Sequence, residues 1–254
     1  MIPGWPVALT VAGSDSGGGA GIEADLKTFT AFGVWGTAAV TAVTAQNHRG
    51  VLASALMDPA MVAAQMEAVA EMAPVRAWKT GMLGAAPVIE AVAAAMDRLA
   101  LGPLVVDPVQ AASRGGSLLE PDAVPVLADL LLPRCAVFTP NLPEAEAFLG
   151  AAVTTREDMP EAAAALAAMG PACVLLKGGH LSGPEAPDLL WADGRPTWLE
   201  GPRLAAAHSH GTGCTLSAGI AAGLARGMPV AEACRAAREF VRLALGALVP
   251  AGPA

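Results

Sequence analysis

The stretch VALTVAGSDSGGGAGIEADLKTF, residues 7–29, decides the fold class. Its first seven residues form an apolar run that predicts a buried strand. Five glycines between positions 13 and 21 predict a turn, and residues 21–32 then follow the pattern of a helix. A strand, a glycine-rich turn and a helix in direct succession are typical of one unit of an α/β protein.

The same alternation of strands and helices continues along the chain. It predicts an α/β protein with a mainly parallel central sheet between two helical layers, in one domain spanning residues 1–254. Residues 187–207, which turn at ADGR, look instead like an antiparallel meander. The other predicted strands are 38–47, 75–83, 103–109, 135–141 and 172–180, and the other predicted helices are 59–73, 86–100, 121–132, a short one from 142, one within 154–170, 213–226 and 230–248.

Composition excludes several classes of protein. With 54% hydrophobic and 15% charged residues among 254, the chain is not disordered. No uninterrupted apolar run reaches the roughly 18 residues of a membrane span, and the N-terminus lacks the basic start of a secretory signal. A net charge of -8 without a basic cluster disfavours nucleic-acid binding. Four widely spaced cysteines predict a reduced, cytoplasmic protein.

The predicted carboxyl ends of the strands hold the candidate ligand-binding residues, because α/β sheets bind ligands beyond those ends. Neither G-x-x-x-x-G-K-[ST] nor G-x-G-x-x-G occurs, which disfavours a P-loop NTPase and a standard dinucleotide-binding dehydrogenase. The residues that follow the apolar runs at these ends are mostly polar residues and glycines. They are 13–15, Gln46, Asn47, Gly81, Met82, Asp107, Asn141 and 177–179.

A second glycine-rich turn, HSHGTGC at residues 208–214, precedes a predicted apolar helix. Backbone N–H groups at such a helix N-terminus bind phosphate groups. The carboxylate of Asp107 and one from the helix start after Asn141, where position alone does not choose between Glu144 and Glu146, suffice for a magnesium ion that keeps most of its water. Lys177 follows a buried strand and would neutralise phosphate charge. These groups are those that phosphoryl transfer requires.

The ordered motifs resemble one family of small-molecule kinases. ALTVAGSDSGGGAGIEADLKTF, VTAVTAQN, KTGML, VVDPV, FTPNLPEAEAFLG, LLKGGHL and HGTGCTLSAGIAAGLA follow one another from about residue 7 to residue 245. In this order they resemble hydroxymethylpyrimidine/phosphomethylpyrimidine kinases of the ribokinase-like superfamily. The resemblance implies a ribokinase-like sandwich and a homodimer. It also implies ATP-dependent, Mg²⁺-assisted phosphorylation of 4-amino-5-hydroxymethyl-2-methylpyrimidine, and of its monophosphate to the diphosphate used in thiamine synthesis.

The resemblance also implies a role for each matching residue. An aminopyrimidine edge can be read by an amide or a carboxylate, and a methionine sulfur suits its aromatic face. The implied contacts are Gly13, Asp25 and Gln46 to the ring and its amine; Met82 and Val109 to its apolar face; Asp107 and Glu144 to magnesium; Asn141, Lys177 and Thr212 to the nucleotide phosphates; His210, Gly211, Thr212, Gly213 and Lys177 to the transferring phosphoryl group; and Cys214 to the hydroxymethyl proton as base.

Cys214 is expected at a helix start near positive charge, which lowers a thiol pKa and favours a thiolate base. Other polar residues have simpler interpretations. Asp15 is interpreted as a turn residue that bonds the following backbone. Asp25, without the resemblance, would be interpreted as part of a solvated helix face. His48, His180 and His208 are expected to be loop residues without chemistry, and the other three cysteines to be packing residues.

Details near the phosphates depart from the family pattern. Gln110 stands where these kinases more often have methionine, and the loop at 113–117 differs as well. Residues 110–117 and 181–187 are candidates for mobile covers. Lys27 and Lys79 are not assigned to the site.

Two other functions remain open at this stage. A pyridoxine or pyridoxal kinase of the same superfamily also phosphorylates a hydroxymethyl group on a heteroaromatic ring. A non-catalytic vitamin-precursor binding domain is disfavoured, because Asp107, Asn141, Glu144, Lys177 and the HGTGC turn are all present.

Overall fold

A computed structural model describes residues 4–47, 50–112, 116–204 and 210–247 of the chain. His48, His208 and part of the 113–117 loop lie outside the described residues. Among the described residues, nine strands form one sheet in the order β3-β2-β1-β4-β5-β6-β7-β8-β9. The strands are β1 (Val7–Asp15), β2 (Trp35–Asn47), β3 (Gly50–Leu56), β4 (Val75–Thr80), β5 (Leu104–Val106), β6 (Cys135–Phe138), β7 (Cys173–Leu176), β8 (Asp188–Ala192) and β9 (Arg195–Leu199).

The pairing explains the mixed character of the sheet. Strands β2, β1, β4, β5, β6 and β7 are parallel neighbours. Strand β3 pairs antiparallel with β2 at one edge, and β8 and β9 form the predicted meander at the other. The helices that connect them are α1 (Gly21–Ala31), α2 (Pro59–Met72), α3 (Ala86–Arg98), α4 (Ala123–Leu130), α5 (Leu142–Leu149), α6 (Met159–Ala167), α7 (Thr212–Ala225) and α8 (Val230–Ala247).

Two hydrophobic layers separate the sheet from its helices. Alternate residues of the central strands face opposite layers, so that Leu104 and Val106 of β5 pack on one side and Val105 on the other. Helices α2 to α6 cover the first side and α1, α7 and α8 the second. This arrangement confirms the predicted α/β/α sandwich. In the part of the chain that is described, no helix is long and apolar enough to cross a membrane.

Strand β3 was not predicted from the sequence. Five of its seven residues are exposed, so the burial alternation that marks the other strands is weak here. Its exposed apolar side chains include Leu52, which is 74% exposed.

Candidate active site

One cavity of about 570 Å³ opens at the carboxyl ends of the parallel strands. The ends of β1, β4, β5, β6 and β7 and the N-terminus of α7 surround it. The place agrees with the general rule for α/β sheets. Predicted site residues that line it are Gly13, Gln46, Met82, Asp107, Val109, Asn141, Glu144, Lys177, His210, Gly211, Thr212, Gly213 and Cys214.

The first glycine-rich loop is organised by Asp15. Its carboxylate accepts hydrogen bonds from the backbone N–H groups of Gly17 (2.8 Å), Gly19 (3.1 Å) and Ala20 (2.9 Å). His210 Nε2 lies 2.9 Å from the same carboxylate. Burial opposes ionisation of Asp15, but these hydrogen bonds outweigh it and lower its pKa. The interpretation of Asp15 as a turn residue is confirmed, and the residue also joins this loop to the turn before α7.

Glycine is required where the two loops meet. Gly21 and Gly211 both have positive φ, at 58° and 81°. A Cβ on Gly21 would collide with the carbonyl oxygen of Gly13, and one on Gly211 with that of Gly19. Both glycines therefore permit a close backbone approach that other residues would prevent.

One part of the cavity is lined by Gly13, Gln46, Met82 and Val109. The sulfur of Met82 lies over Gly13, only 2.9 Å from where a Cβ would stand. The Gln46 amide nitrogen lies 3.2 Å from His210 Nε2, the same atom that contacts the Asp15 carboxylate, so Gln46 lies beside the junction of the two loops. An apolar slot with one amide fits a flat heteroaromatic ring.

Asp25 does not line this cavity, contrary to the ring contact that the resemblance implied. Its side chain is fully buried, and Thr10 Oγ1 donates to it at 2.6 Å. Lys79 Nζ donates to both of its carboxylate oxygens at 3.0 and 2.9 Å. Burial alone would lower the pKa of Lys79, but the Asp25 carboxylate raises it above its usual value. The Asp25 carboxylate therefore forms an ion pair with Lys79 in the protein interior and does not face the cavity.

A second part of the cavity carries three charged side chains. Lys177 Nζ lies 3.3 Å from Asp107 Oδ1 and 3.7 Å from Glu144 Oε2. Although burial opposes charge on both residues, their attraction raises the pKa of Lys177 and lowers that of Asp107. Ser217 Oγ donates to the second oxygen of Asp107 at 3.0 Å. The lysine ammonium is therefore a fixed positive charge at the cavity.

Asn141 and Glu144 form a capping box at the start of α5. The Asn141 side chain accepts from Glu144 N at 2.9 Å, and the Glu144 carboxylate accepts from Asn141 N at 2.8 Å. Burial raises the pKa of Glu144. The N-x-x-E element therefore has a structural use, which fixes Glu144 beside Lys177.

The two carboxylates fit a magnesium ion bound largely through water. Asp107 and Glu144 lie within 4 Å of one ammonium nitrogen, so they face a common point at the cavity. Among the described residues, no cluster of three or more His, Cys, Asp or Glu side chains exists to hold a metal. Two carboxylates with waters and substrate phosphates are the usual donor set for Mg²⁺, whereas a closed protein cage is not.

The N-terminus of α7 lies beside these charged side chains. A Cβ on Gly213 would lie 3.5 Å from Lys177 Nζ and 3.8 Å from Asp107 Oδ2. The first turn of the helix therefore meets the charged group directly. Backbone N–H groups and the helix dipole add partial positive charge at this point.

Cys214 lines the cavity in this first turn, but its electrostatics differ from expectation. Burial raises its pKa to about 12, with Asp25 and Asp107 adding to the increase. Lys79 and the N–H of Gly21 oppose the increase without overcoming it. The predicted lowering of this pKa was wrong, because loss of water and two nearby carboxylates outweigh the positive charge.

Three residues that support the site were not assigned to it from the sequence. Lys79 lies beneath Gly81 and pairs with Asp25, and Ser217 holds Asp107 from within α7. Gln110 lines the cavity with a buried amide nitrogen. A lysine inside the apolar strand VRAWKT was a signal for the first, and the departure from the family pattern was a signal for the third.

An α/β sandwich that directs a helix N-terminus and a buried lysine into one cavity, opposite an apolar slot, has the architecture of a small-molecule kinase. The comparisons agree with this class. The sequence model of the phosphomethylpyrimidine kinase family matches residues 15–253. The chain belongs to this family and is a phosphotransferase.

Named relatives and solved structures support the family. The hydroxymethylpyrimidine/phosphomethylpyrimidine kinase of Rhizobium meliloti (strain 1021) is 48% identical over 242 residues, which are 95% of this chain and 91% of the relative. The crystal structure of phosphomethylpyrimidine kinase from Clostridium difficile 630 is 39% identical, with a TM-score of 0.83, covering 94% of this chain and 98% of that one. A Bacillus subtilis pyridoxal kinase solved as an ADP complex is 38% identical, with a TM-score of 0.85, covering 93% and 90%.

Proposed function

We propose that the chain, acting as a single kinase domain, transfers the γ-phosphoryl group of ATP to 4-amino-5-hydroxymethyl-2-methylpyrimidine. A second transfer, to the monophosphate, then gives the diphosphate that the resemblance places in thiamine synthesis. One observation carries the proposal. The carboxylates of Asp107 and Glu144 lie within 4 Å of Lys177 Nζ, beside the first turn of α7, in a cavity that is also lined by the apolar side chains of Met82 and Val109.

The residues of the slot would hold the acceptor. Gln46, which lies beside His210, would bind the polar edge of the pyrimidine, while Met82 and Val109 would cover its face. Gly13, having no side chain, leaves space for the ring against the Met82 sulfur. This orientation directs the hydroxymethyl group toward the N-terminus of α7 and Cys214.

The residues of the charged side would hold the phosphates. Lys177, the N–H groups of residues 211–213 and Asn141 would bind and neutralise the phosphate oxygens, with Thr212 at the nucleotide. Asp107 and Glu144 would bind Mg²⁺ mainly through its waters. When bound, the ion supplies further charge neutralisation at the phosphates. Because phosphoryl transfer depends mostly on positioning and charge, these groups suffice for catalysis.

The direct test is turnover. Purified protein with ATP, Mg²⁺ and the hydroxymethylpyrimidine is expected to form both the monophosphate and the diphosphate, measured by phosphorus NMR or mass spectrometry. Lys177→Met is expected to lower kcat by about 10² to 10³, since it removes a fixed charge from the transition state. Arg98→Ala, which removes an exposed ion pair with Glu67 and an exposed hydrogen bond to Ala94 O, is the control. The absence of any ATP-dependent product from the wild type would contradict the proposal.

Pyridoxal is the second candidate acceptor, because pyridoxal kinases share this fold at 38% identity. Both compounds present a hydroxymethyl group on a flat nitrogen-containing ring. The comparison of kcat/KM for the two acceptors separates the candidates. We expect the pyrimidine to have the higher value, and a much higher value for pyridoxal would reverse the assignment.

A cytoplasmic homodimer is part of the same proposal. The four cysteines are unpaired, as expected in a reducing compartment. Apolar side chains are exposed at the β3 edge of the sheet. They are Val43 on β2, Leu52 and Leu56 on β3, and Met61 at the start of α2. We call these four residues the edge patch. A second copy of the chain would cover them and would also pair or shield the free strand edge.

A further inference from the structure

Two buried polar atoms have no hydrogen-bond partner within the described structure. They are the amide nitrogen of Gln110 and the hydroxyl oxygen of Thr80. Leaving a buried polar group unpaired costs free energy, so each such group requires an explanation. Gln110 lines the cavity, whereas Thr80 is fully buried in β4 and does not.

The position of Gln110 is fixed by its backbone. Its carbonyl oxygen accepts from Leu118 N at 2.8 Å and from Leu119 N at 3.3 Å. These bonds close the base of a loop whose cavity-lining residues include Ala111, Ala112 and Leu118. The side chains of these three residues are apolar and offer the amide no acceptor, and the hydroxyl of Ser117 in the same loop donates to Leu119 O at 2.8 Å.

The missing partner is therefore expected to come from the ligand. Gln110 directly follows Val109, which the proposed function places against the pyrimidine ring. An amide nitrogen can only donate, so it matches an acceptor and not the exocyclic amine. The pyrimidine presents acceptors in its ring nitrogens and, after the first transfer, in its phosphate oxygens.

We propose that Gln110 Nε2 donates a hydrogen bond to the pyrimidine substrate and sets the affinity for it. This inference rests on the proposed function, because the acceptor belongs to the proposed substrate. Methionine, which related kinases more often have at this position, has similar length but no donor. This chain would therefore bind its substrate with one polar contact that such relatives lack.

The test compares Gln110→Met with the wild type in direct binding. Dissociation constants for the pyrimidine alcohol and for its monophosphate are measured by calorimetry without ATP, and KM is measured for each substrate. Loss of the hydrogen bond is expected to weaken pyrimidine binding by about fivefold to tenfold and to leave the KM for ATP unchanged. Equal weakening for both compounds assigns the bond to a ring nitrogen, and weakening for the monophosphate alone assigns it to a phosphate oxygen.

Thr80→Val is the matched control, because it removes the other unpartnered atom without changing side-chain shape. It is expected to leave all binding constants unchanged. The melting temperature of Gln110→Met is expected to stay equal or rise, since an unpaired buried amide is lost; a purely structural amide would lower it.

Three results would overturn the inference. Unchanged or tighter pyrimidine binding by Gln110→Met would show that the amide makes no contact. An effect confined to ATP would assign Gln110 to the nucleotide. Wild-type protein that binds neither pyrimidine compound would reject the proposed function and the contact with it, whereas normal wild-type turnover with an unaffected variant would reject only the contact.

Discussion

Cys214 shows how strongly the surroundings of a single residue decide its chemistry. Its pKa of about 12 means that the thiol is neutral at physiological pH and that the thiolate fraction increases tenfold per pH unit. If the thiolate accepts the hydroxymethyl proton, kcat of the wild type rises with pH across the neutral and alkaline range. We expect this rise, measured from pH 6.5 to 9 with saturating substrates.

Variants of Cys214 complete this prediction. Cys214→Ser and Cys214→Ala are expected to lose the pH-dependent rise and about 10²-fold in kcat, the usual contribution of a general base. A flat wild-type profile together with nearly full kcat in both variants would leave Cys214 only a packing role.

The sequence predicted individual site residues well where a polar residue ends an apolar strand. Asp107 and Lys177 are of this kind, and the structure brings them together at 3.3 Å. It predicted Asp25 poorly, because its partner Lys79 is 54 positions away in sequence. A helix pattern gives the face on which an acid lies only approximately, and it cannot reveal a lysine that reaches the acid from a neighbouring strand.

At the scale of elements, the segment after β7 is held by one arginine. Arg203 donates from Nε to Gly183 O at 2.9 Å and from Nη1 to Gly179 O at 2.7 Å, and its Nη2 contacts the carbonyls of Leu181 and Glu185. A segment with four carbonyls bound to one guanidinium is a fixed loop, which does not support the mobile cover suggested for 181–187. Gly179, at the start of this loop, lines the cavity.

Loss of this arginine is expected to affect ATP and not the pyrimidine. Arg203→Ala should raise the KM for ATP about threefold to tenfold, since several hydrogen bonds that position the loop beside Lys177 are lost. Faster amide hydrogen exchange in 179–185 should accompany the change. Arg242→Ala, which removes a single exposed bond to Pro202 O, is the control. Unchanged exchange and KM in Arg203→Ala would contradict the prediction.

Element boundaries show what a hydrophobic pattern can and cannot give. Helix α2 was predicted at 59–73 and occurs at Pro59–Met72, because Asp58 caps its N-terminus by accepting from Ala60 N and Pro59 occupies its first turn. Strand β5 was predicted at 103–109 but covers only Leu104–Val106, since the residues after it leave the ladder to form the site. Strand β3 was missed because both faces are largely exposed and no burial pattern marks it.

At the scale of the whole molecule, residues from distant parts of the chain line one cavity. The parallel strands direct their carboxyl ends to one edge, so the loops that follow them meet there. The edge patch lies on β2, β3 and the start of α2, at the end of the sheet, and none of its four residues lines the cavity.

This separation leads to a prediction about assembly. The wild type is expected to sediment as a dimer, at twice the chain mass of 25.3 kDa. Leu52→Asp should shift it to a monomer, because a charge buried in an apolar interface is unfavourable. Leu52 is the better position for the change than Leu56, since Leu56 packs against Gly84 within the fold. Leu243→Asp, at an exposed leucine on α8, is the matched control and should remain dimeric.

The monomeric variant is also expected to keep its kcat to within about twofold, since none of the four residues of the edge patch lines the cavity. Analytical ultracentrifugation and steady-state kinetics on the same preparations decide both points. A wild type that is monomeric, or a Leu52→Asp protein that stays dimeric, would remove the edge patch as the interface. Loss of kcat in a folded Leu52→Asp monomer would instead show that the partner subunit shapes the site through the paired strands β2 and β3, in which Gln46 lies opposite Val51.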